Sequence, residues 1–276
     1  MSGSLAIEDL GQVVGRLPAN RLAPLRLEAL ERLKQRGVPT TRDEDWKYTD
    51  LGRIVEISNA WLDGEPAPGA RAGSMPDAGA LTGVDGVDWI VVADGIVDPA
   101  SLDAARAAGL EVSLLSETDR PLAWDAPLAD LNAALLVDGL HIGVPRNARP
   151  ARPLGFLLAD DAADDVGVVQ FRIEIDVEPG GAVELIEYHR STGAEGHYAN
   201  TFVRLALRDG ASASYVRVQC RGGDHAQTGR LEAALGRDST FRHAAYDLGA
   251  ALARNDLAID IRGAGATAEF SGVYLA

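Results

Sequence analysis

FRIEIDVEPGGAVELIEYHR, residues 171–190, decides the fold. Phe171, Ile173, Ile175 and Val177 alternate with polar residues, which is the period of a half-buried strand. The run Glu178-Pro179-Gly180-Gly181 then breaks the chain, and Val183 and Leu185 resume the alternation on the far side. Three later segments have the same form: TFVRLALRDGASASYVRVQC (201–220), GRLEAALGRDSTFRHAAYDLG (229–249) and NDLAIDIRGAGATAEFSGVYL (255–275). The turns centre on Gly181, Gly210, Asp238 and Gly265, at separations of 29, 28 and 27 residues. A near-constant spacing over four copies is the mark of a repeat fold. No long helix separates the copies, so a βαβ sheet is unsuitable. A parallel β-helix fits best, with a sandwich or barrel of similar turn spacing as the competitor.

Upstream of these strands the pattern is helical. In RLAPLRLEALERLKQR, residues 21–36, Leu22, Leu25, Ala29, Leu30 and Leu33 fall at helical spacing. Asn20 can cap the start, and Gly37 and Pro39 stop the helix. PTTRDEDWKYTDL, residues 39–51, then offers Thr41 and Glu44 as a capping box for a second, shorter helix. Asp43, Glu44 and Asp45 would suit the positive end of its dipole, and Trp46 and Tyr48 would pack it onto its neighbours. Residues 63–86 are rich in Gly, Pro and Ala and read as a linker. DWIVVADGIVDP (88–99) reads as strand and turn. SLDAARAAG (101–109) reads as a helix capped by Ser101, and APLADLNAALLVDG (126–139) as a helix with Leu128, Leu131, Leu135 and Leu136 on one side. The expected organisation is a helical region over 1–62, a linker over 63–86, an α/β segment over 87–139 and a β-helix core over 140–276. The closing SGVYLA is apolar and strand-like where a solenoid needs a cap, so the core is expected to be incomplete at that end.

Composition narrows the function. The 276 residues carry a formal net charge of −15, and their only lysines are Lys34 and Lys47. No basic run offsets the acids, which argues against nucleic acid and anionic membranes. The first twenty residues lack a signal peptide's basic flank and apolar run, and no apolar stretch approaches the ~20 residues of a membrane span. A cytoplasmic protein is expected. The single cysteine, Cys220, permits no intrachain disulfide.

Catalytic patterns are weak. His189 and His197 could join Glu187 or Glu195 in a two-His, one-carboxylate metal site. Their spacing matches no sharp motif, and a polar surface loop is the simpler reading. Cys220 and His225 could form a nucleophile pair or two metal ligands, but Cys220 alternates with Val216 and Val218, which favours a small buried apolar role. His141 and His243 sit in no motif. Asp160-Asp161 and Asp164-Asp165 read as solvated loop pairs. Catalytic, cofactor-binding and metal residues are therefore expected to be none, and the chain is not expected to be an enzyme.

Four stretches carry a resemblance: GVPTTRDEDWKYTDL (37–51), VVADGIVDPASLDAARAAGLEVSLL (91–115), PLADLNAALLVDGLHIGVP (127–145) and LGAALARNDLAIDIRGAGATAEFSGVYLA (248–276). In order and over nearly the whole chain, the sequence resembles the SufB/SufD family of scaffold subunits from the SUF iron–sulfur cluster assembly system, on its SufD side. The resemblance implies a right-handed parallel β-helix behind an N-terminal helical region. It also implies a SufB-like partner, a SufC-like ATPase, and an Fe–S cluster held by the complex rather than by this chain alone. Family members continue past the GVYL element, and the parts that contact the ATPase and supply an interface histidine match nothing here. A carbohydrate-active β-helix enzyme, a β-helix acyltransferase or a β-solenoid binding module are the alternatives.

Overall fold

The computed structural model describes residues 4–64, 66, 68, 74–162, 166–193 and 196–275. Helices α1 (Leu10–Arg16), α2 (Ala23–Arg36) and α3 (Gly52–Asp63) come first, followed by the short α4 (Ala78–Thr82) inside the expected linker. The rest of that linker falls partly outside the described residues. Strands β1 (Asp88–Ala93) and β2 (Ile96–Val97), helix α5 (Pro99–Ala107), strand β3 (Glu111–Leu114) and helix α6 (Ala129–Ala134) lead to ten strands. These are β4 (Leu140–Val144), β5 (Leu154–Ala162), β6 (Gly167–Val177), β7 (Ala182–Gly193), β8 (His197–Leu207), β9 (Ser212–Cys220), β10 (Ala226–Leu235), β11 (Thr240–Asp247), β12 (Leu252–Ile261) and β13 (Thr267–Tyr274).

The strands sort alternately into two sheets, in the orders β13-β11-β9-β7-β5-β1-β2 and β12-β10-β8-β6-β4-β3. Each coil gives one strand to each sheet, and coils stack in parallel register, for example Val177↔Leu207↔Leu235↔Ile261. This is a β-solenoid. Its inward rows are mostly apolar: Ile175, Leu205 and Ala233 face Val183, Ala213 and Phe241 within one continuous core.

The turns stack as regularly as the strands. Asn147, Gly180, Gly210, Asp238 and Gly265 all have positive φ, between 55° and 75°. Each of the first four donates its N–H to a carbonyl of the next turn, as in Gly180 N to Asp209 O (3.1 Å) and Gly210 N to Arg237 O (2.8 Å). The left-handed residue of the first repeat is thus Gly180, not Gly181, and a fifth copy at Asn147 escaped the reading because it lacks glycine. A Cβ on Gly180 would lie 2.3 Å from Asn147 Oδ1. Gly180→Ala is expected to cost about 1–2 kcal/mol from the left-handed backbone alone, with the clash added. Urea denaturation reads this directly, and an unchanged midpoint would refute the stacking role.

The helical layer covers one flank. Leu10, Leu30, Leu33, Ile54 and Ile57 share a cluster with Tyr198 and Ala226 of the solenoid. Buried Arg26 ties the layer together by donating to the carbonyls of Pro18, Leu136 and Val137. Asn132 of α6 donates to the carbonyls of Phe171 and Asn200, both at 3.0 Å, and so clips α6 to neighbouring strands. Arg172, also buried, donates to Asn132 Oδ1 and Leu122 O. Its burial lowers the guanidinium to about 10, which still leaves it charged at neutral pH.

Three local expectations need correction. The Thr41/Glu44 capping box does not form. Asp43 Oδ2 instead accepts from Thr40 N and Oγ1, and only a single 3-10 turn follows, Glu44–Trp46. The longer helix begins after Asp50, whose carboxylate accepts from Gly52 N. α5 is capped by Asp98 rather than Ser101, because Asp98 precedes Pro99 in extended conformation, and Ser101 Oγ turns back to the Asp98 carbonyl. Finally, Tyr48 is 92% exposed, whereas Trp46 is buried. Arg254 of β12 lies over the Trp46 ring at 3.9 Å and donates to Asp45 O and Thr49 Oγ1. The 39–51 stretch therefore fastens the N-terminal region to the last even-numbered strand.

Candidate functional site

One inward row of the odd-numbered sheet changes character along the solenoid. It begins with Ile90 and Phe156 and continues with Glu187 and Arg217. The adjacent row runs Val92, Leu158, His189, Gln219 and Asp247. Both rows point inward, so ionised side chains occupy the interior beside the apolar core.

They satisfy one another. Glu187 accepts from Tyr215 Oη (2.6 Å) and pairs with His189 Nε2 (2.5 Å). His189 Nδ1 faces two donors, Gln227 Nε2 (3.0 Å) and Arg221 Nη2 (3.4 Å), so the ring proton sits on Nε2 and is given to Glu187. Arg221 donates through Nε to Gln227 Oε1 and pairs closely with Asp160. Arg217 donates from Nη1 to Asp247 Oδ1 (2.7 Å) and stands 3.9 Å from Glu187. Asp247 also accepts from Asn255 Nδ2 through both oxygens. The chain of contacts runs from Asp160 in β5 to Asn255 in β12. At its far end lies a cavity of about 250 Å³, lined among others by Glu187, Tyr215, Arg217, His243, Asn255 and Phe270.

Burial shapes the titration. Desolvation alone would raise Glu187, but His189, Arg217 and Tyr215 outweigh it and hold the carboxyl at about 2. Burial lowers His189 and His243, and holds Arg221 at about 9. Burial, with His197 and Arg221 nearby, holds His225 at about 4. On the outer face, His141 and then Arg120 hold Asp176 at about 2. Imidazoles of an unfolded chain take protons below about pH 6.5, but these folded ones resist. The fold is therefore expected to lose stability as pH falls from 6.5 towards 4, at up to about 1.4 kcal/mol per pH unit for each histidine held neutral. The depressed carboxyls add a second loss below the ordinary carboxyl range, towards pH 2. A urea midpoint at pH 5 equal to that at pH 7.5 would disprove this.

The structure redistributes the residues that sequence reasoning picked out. His189 and His197 are not on a surface loop; both are buried, because strand parity directs them inward. His189 and Glu187 do meet, but His197 does not join them. It stacks edge-on with His225 at 5.6 Å between ring centroids, and its backbone N–H donates to His225 Nδ1. Glu195 lies outside the described residues. Cys220 is half-buried on the outward face of β9, where Tyr188 Oη donates to Sγ (3.8 Å), and it does not pair with His225. β9 turns Ala213, Tyr215, Arg217 and Gln219 inward instead of Val216, Val218 and Cys220, since Tyr215 is in register with Leu185. Asp160 is a buried strand residue, not a solvated one. Asp164 and Asp165 lie outside the described residues. Among the described residues no three His, Cys, Asp or Glu side chains converge as metal ligands do. No helix there is long and apolar enough to cross a membrane.

A second feature is the rim. Among the described residues β12 and β13 each have one strand neighbour. Ile261 and Phe270 continue inward rows yet are 57% and 69% exposed, with Val273, Tyr274 and Leu275 beside them.

Comparison with known proteins assigns this architecture. The family described as SUF system FeS cluster assembly, SufBD core domain, matches residues 158–276, which hold nearly all the stacked coils. Residues 158–276 resemble a SufBD core domain. The chain is 27% identical over 259 residues to the iron–sulfur cluster assembly protein SufD of Escherichia coli, covering 92% of this chain and 59% of that one. It is 28% identical over 249 residues to a SufBD family protein of Mycobacterium bovis (87% and 52%) and 21% identical over 248 residues to one of Synechocystis (84% and 55%). The chain is SufD-like, and it spans little more than half the length of these relatives. The polar interior and the open rim both lie within the matched segment.

Proposed function

We propose that this chain is the helical region and solenoid core of a SUF scaffold subunit. It pairs with a SufB-like subunit and works with a SufC-like ATPase to assemble nascent Fe–S clusters and pass them on. The SufBD core match over the stacked coils carries this reading. The physical logic is consistent with it: a solenoid is a rigid platform, and strand edges give main-chain docking sites. The cluster is cargo of the complex, and the chain acts by holding partners rather than by catalysing a step. The Tyr215–Glu187–His189 triad suits that role, because its members are spent on one another inside the solenoid. Tagged full-length protein, co-expressed with SufB-like and SufC-like proteins, is expected to retain both through affinity and size-exclusion steps. Recovery of the tagged chain without either would sink the proposal.

A further inference from the structure

We propose that the turn edge of the solenoid is a docking strip for an acidic peptide segment of a partner protein. The chain is strongly acidic, with 41 Asp and Glu against 26 Lys and Arg, yet this edge gathers arginines. Two adjoining grooves of about 510 and 340 Å³ follow it. Together they are lined by six arginines, Arg146, Arg149, Arg152, Arg208, Arg237 and Arg242, and by two carboxylates, Glu184 and Asp209. Three of the arginines are engaged: Arg152 with Asp88, Arg237 with Asp209 and Arg242 with Glu269. The guanidiniums of Arg146, Arg149 and Arg208 are exposed and pair with no described residue. Glu178 and Asp238 lie on the same edge, Asp238 at 4.0 Å from Arg237, so the charge on offer to a ligand is that of the Arg146, Arg149 and Arg208 trio.

Coil stacking sets the spacing. The turn N–H groups are already used between coils, so an incoming anion meets side chains, not backbone. Arg146 and Arg208 stand two coils apart, which at about 4.8 Å per rung is roughly 10 Å. On a peptide in the polyproline II conformation, with three residues per turn and a rise of about 3.1 Å, carboxylates three residues apart lie on one side at about that separation. Ser212, Ser214 and Thr240 floor the neighbouring groove with small hydroxyl side chains, leaving room for a main chain. The overall charge of −15 repels a polyanion at long range, so a short acidic segment fits better than nucleic acid.

Fluorescence anisotropy with labelled hexaglutamate tests the strip, using the whole chain at about 50 mM salt. Saturable binding is expected, falling steeply as salt is raised. The triple variant R146S/R149S/R208S should weaken it at least about tenfold. Its thermal midpoint should stay within about 2 °C, because the three side chains are exposed and unpaired. The control R21S/R42S/R190S removes the same charge elsewhere and should leave binding within about twofold. Absence of saturable binding, equal losses in the two triples, or an oligothymidylate bound as tightly as hexaglutamate would each overturn the proposal.

Discussion

Arg221→Met is expected to destabilise the fold by about 3–5 kcal/mol, the usual cost of removing one member of a buried ion pair. Arg221 is 3% exposed and Asp160 2%. Removing the guanidinium leaves the Asp160 carboxylate inside the solenoid without its cation, and strips donors from Gln227 and His189 as well. Methionine preserves most of the volume, so the loss is electrostatic rather than a cavity effect. The second arm isolates the pair: Asp160→Leu with Arg221→Met removes both charges and should recover much of the loss, because an apolar pair of similar volume carries no desolvation penalty. Urea unfolding of both variants and of Asp160→Leu completes the cycle. A loss under about 1 kcal/mol for Arg221→Met would mean that water reaches the pair and that the chain of polar contacts is not a dry interior.

How much of this was legible follows from strand parity. Alternation at Phe171, Ile173, Ile175 and Val177 announced the strands, and the turn spacing announced the stacking. The same parity, carried two and four residues past Leu185, places Glu187 and His189 inside. A reading that equates polar with outward stops one step early. On β9 the error was larger, because Val216 and Val218 look like the core face while Arg217 and Gln219 occupy it. Only cross-coil register, Leu185 with Tyr215, decides between the two faces. The partners in this polar chain of contacts come from strands up to 95 residues apart in sequence, Asp160 to Asn255, so local pattern could not assemble them. Trp46 was a clearer case: it reads as a packing residue, but the Arg254 that holds it lies 208 residues away.

Residues 1–276 are expected to self-associate through the rim. Among the described residues the outer edges of β12 and β13 have no strand partner, and β13 carries one charged residue, Glu269, and no proline to discourage pairing. Ile261 and Phe270 should be core residues by register but are more than half exposed. Joining two rims would both cover these side chains and satisfy main-chain groups, and either gain alone would be weaker. Sedimentation should therefore give a weight-average mass above 29.1 kDa that rises over about 10–200 µM protein. I261K/F270K puts two like charges on each rim and should return the chain to monomer while leaving the fold intact, since both positions are exposed. Tyr48→Lys changes a side chain that is equally open but belongs to the N-terminal latch, and should leave association unchanged. A monomer at the highest concentration, or association indifferent to I261K/F270K, would show that the rim is not adhesive. Docking by a partner would then have to rest on other faces of the solenoid, with main-chain pairing at β12 and β13 contributing little.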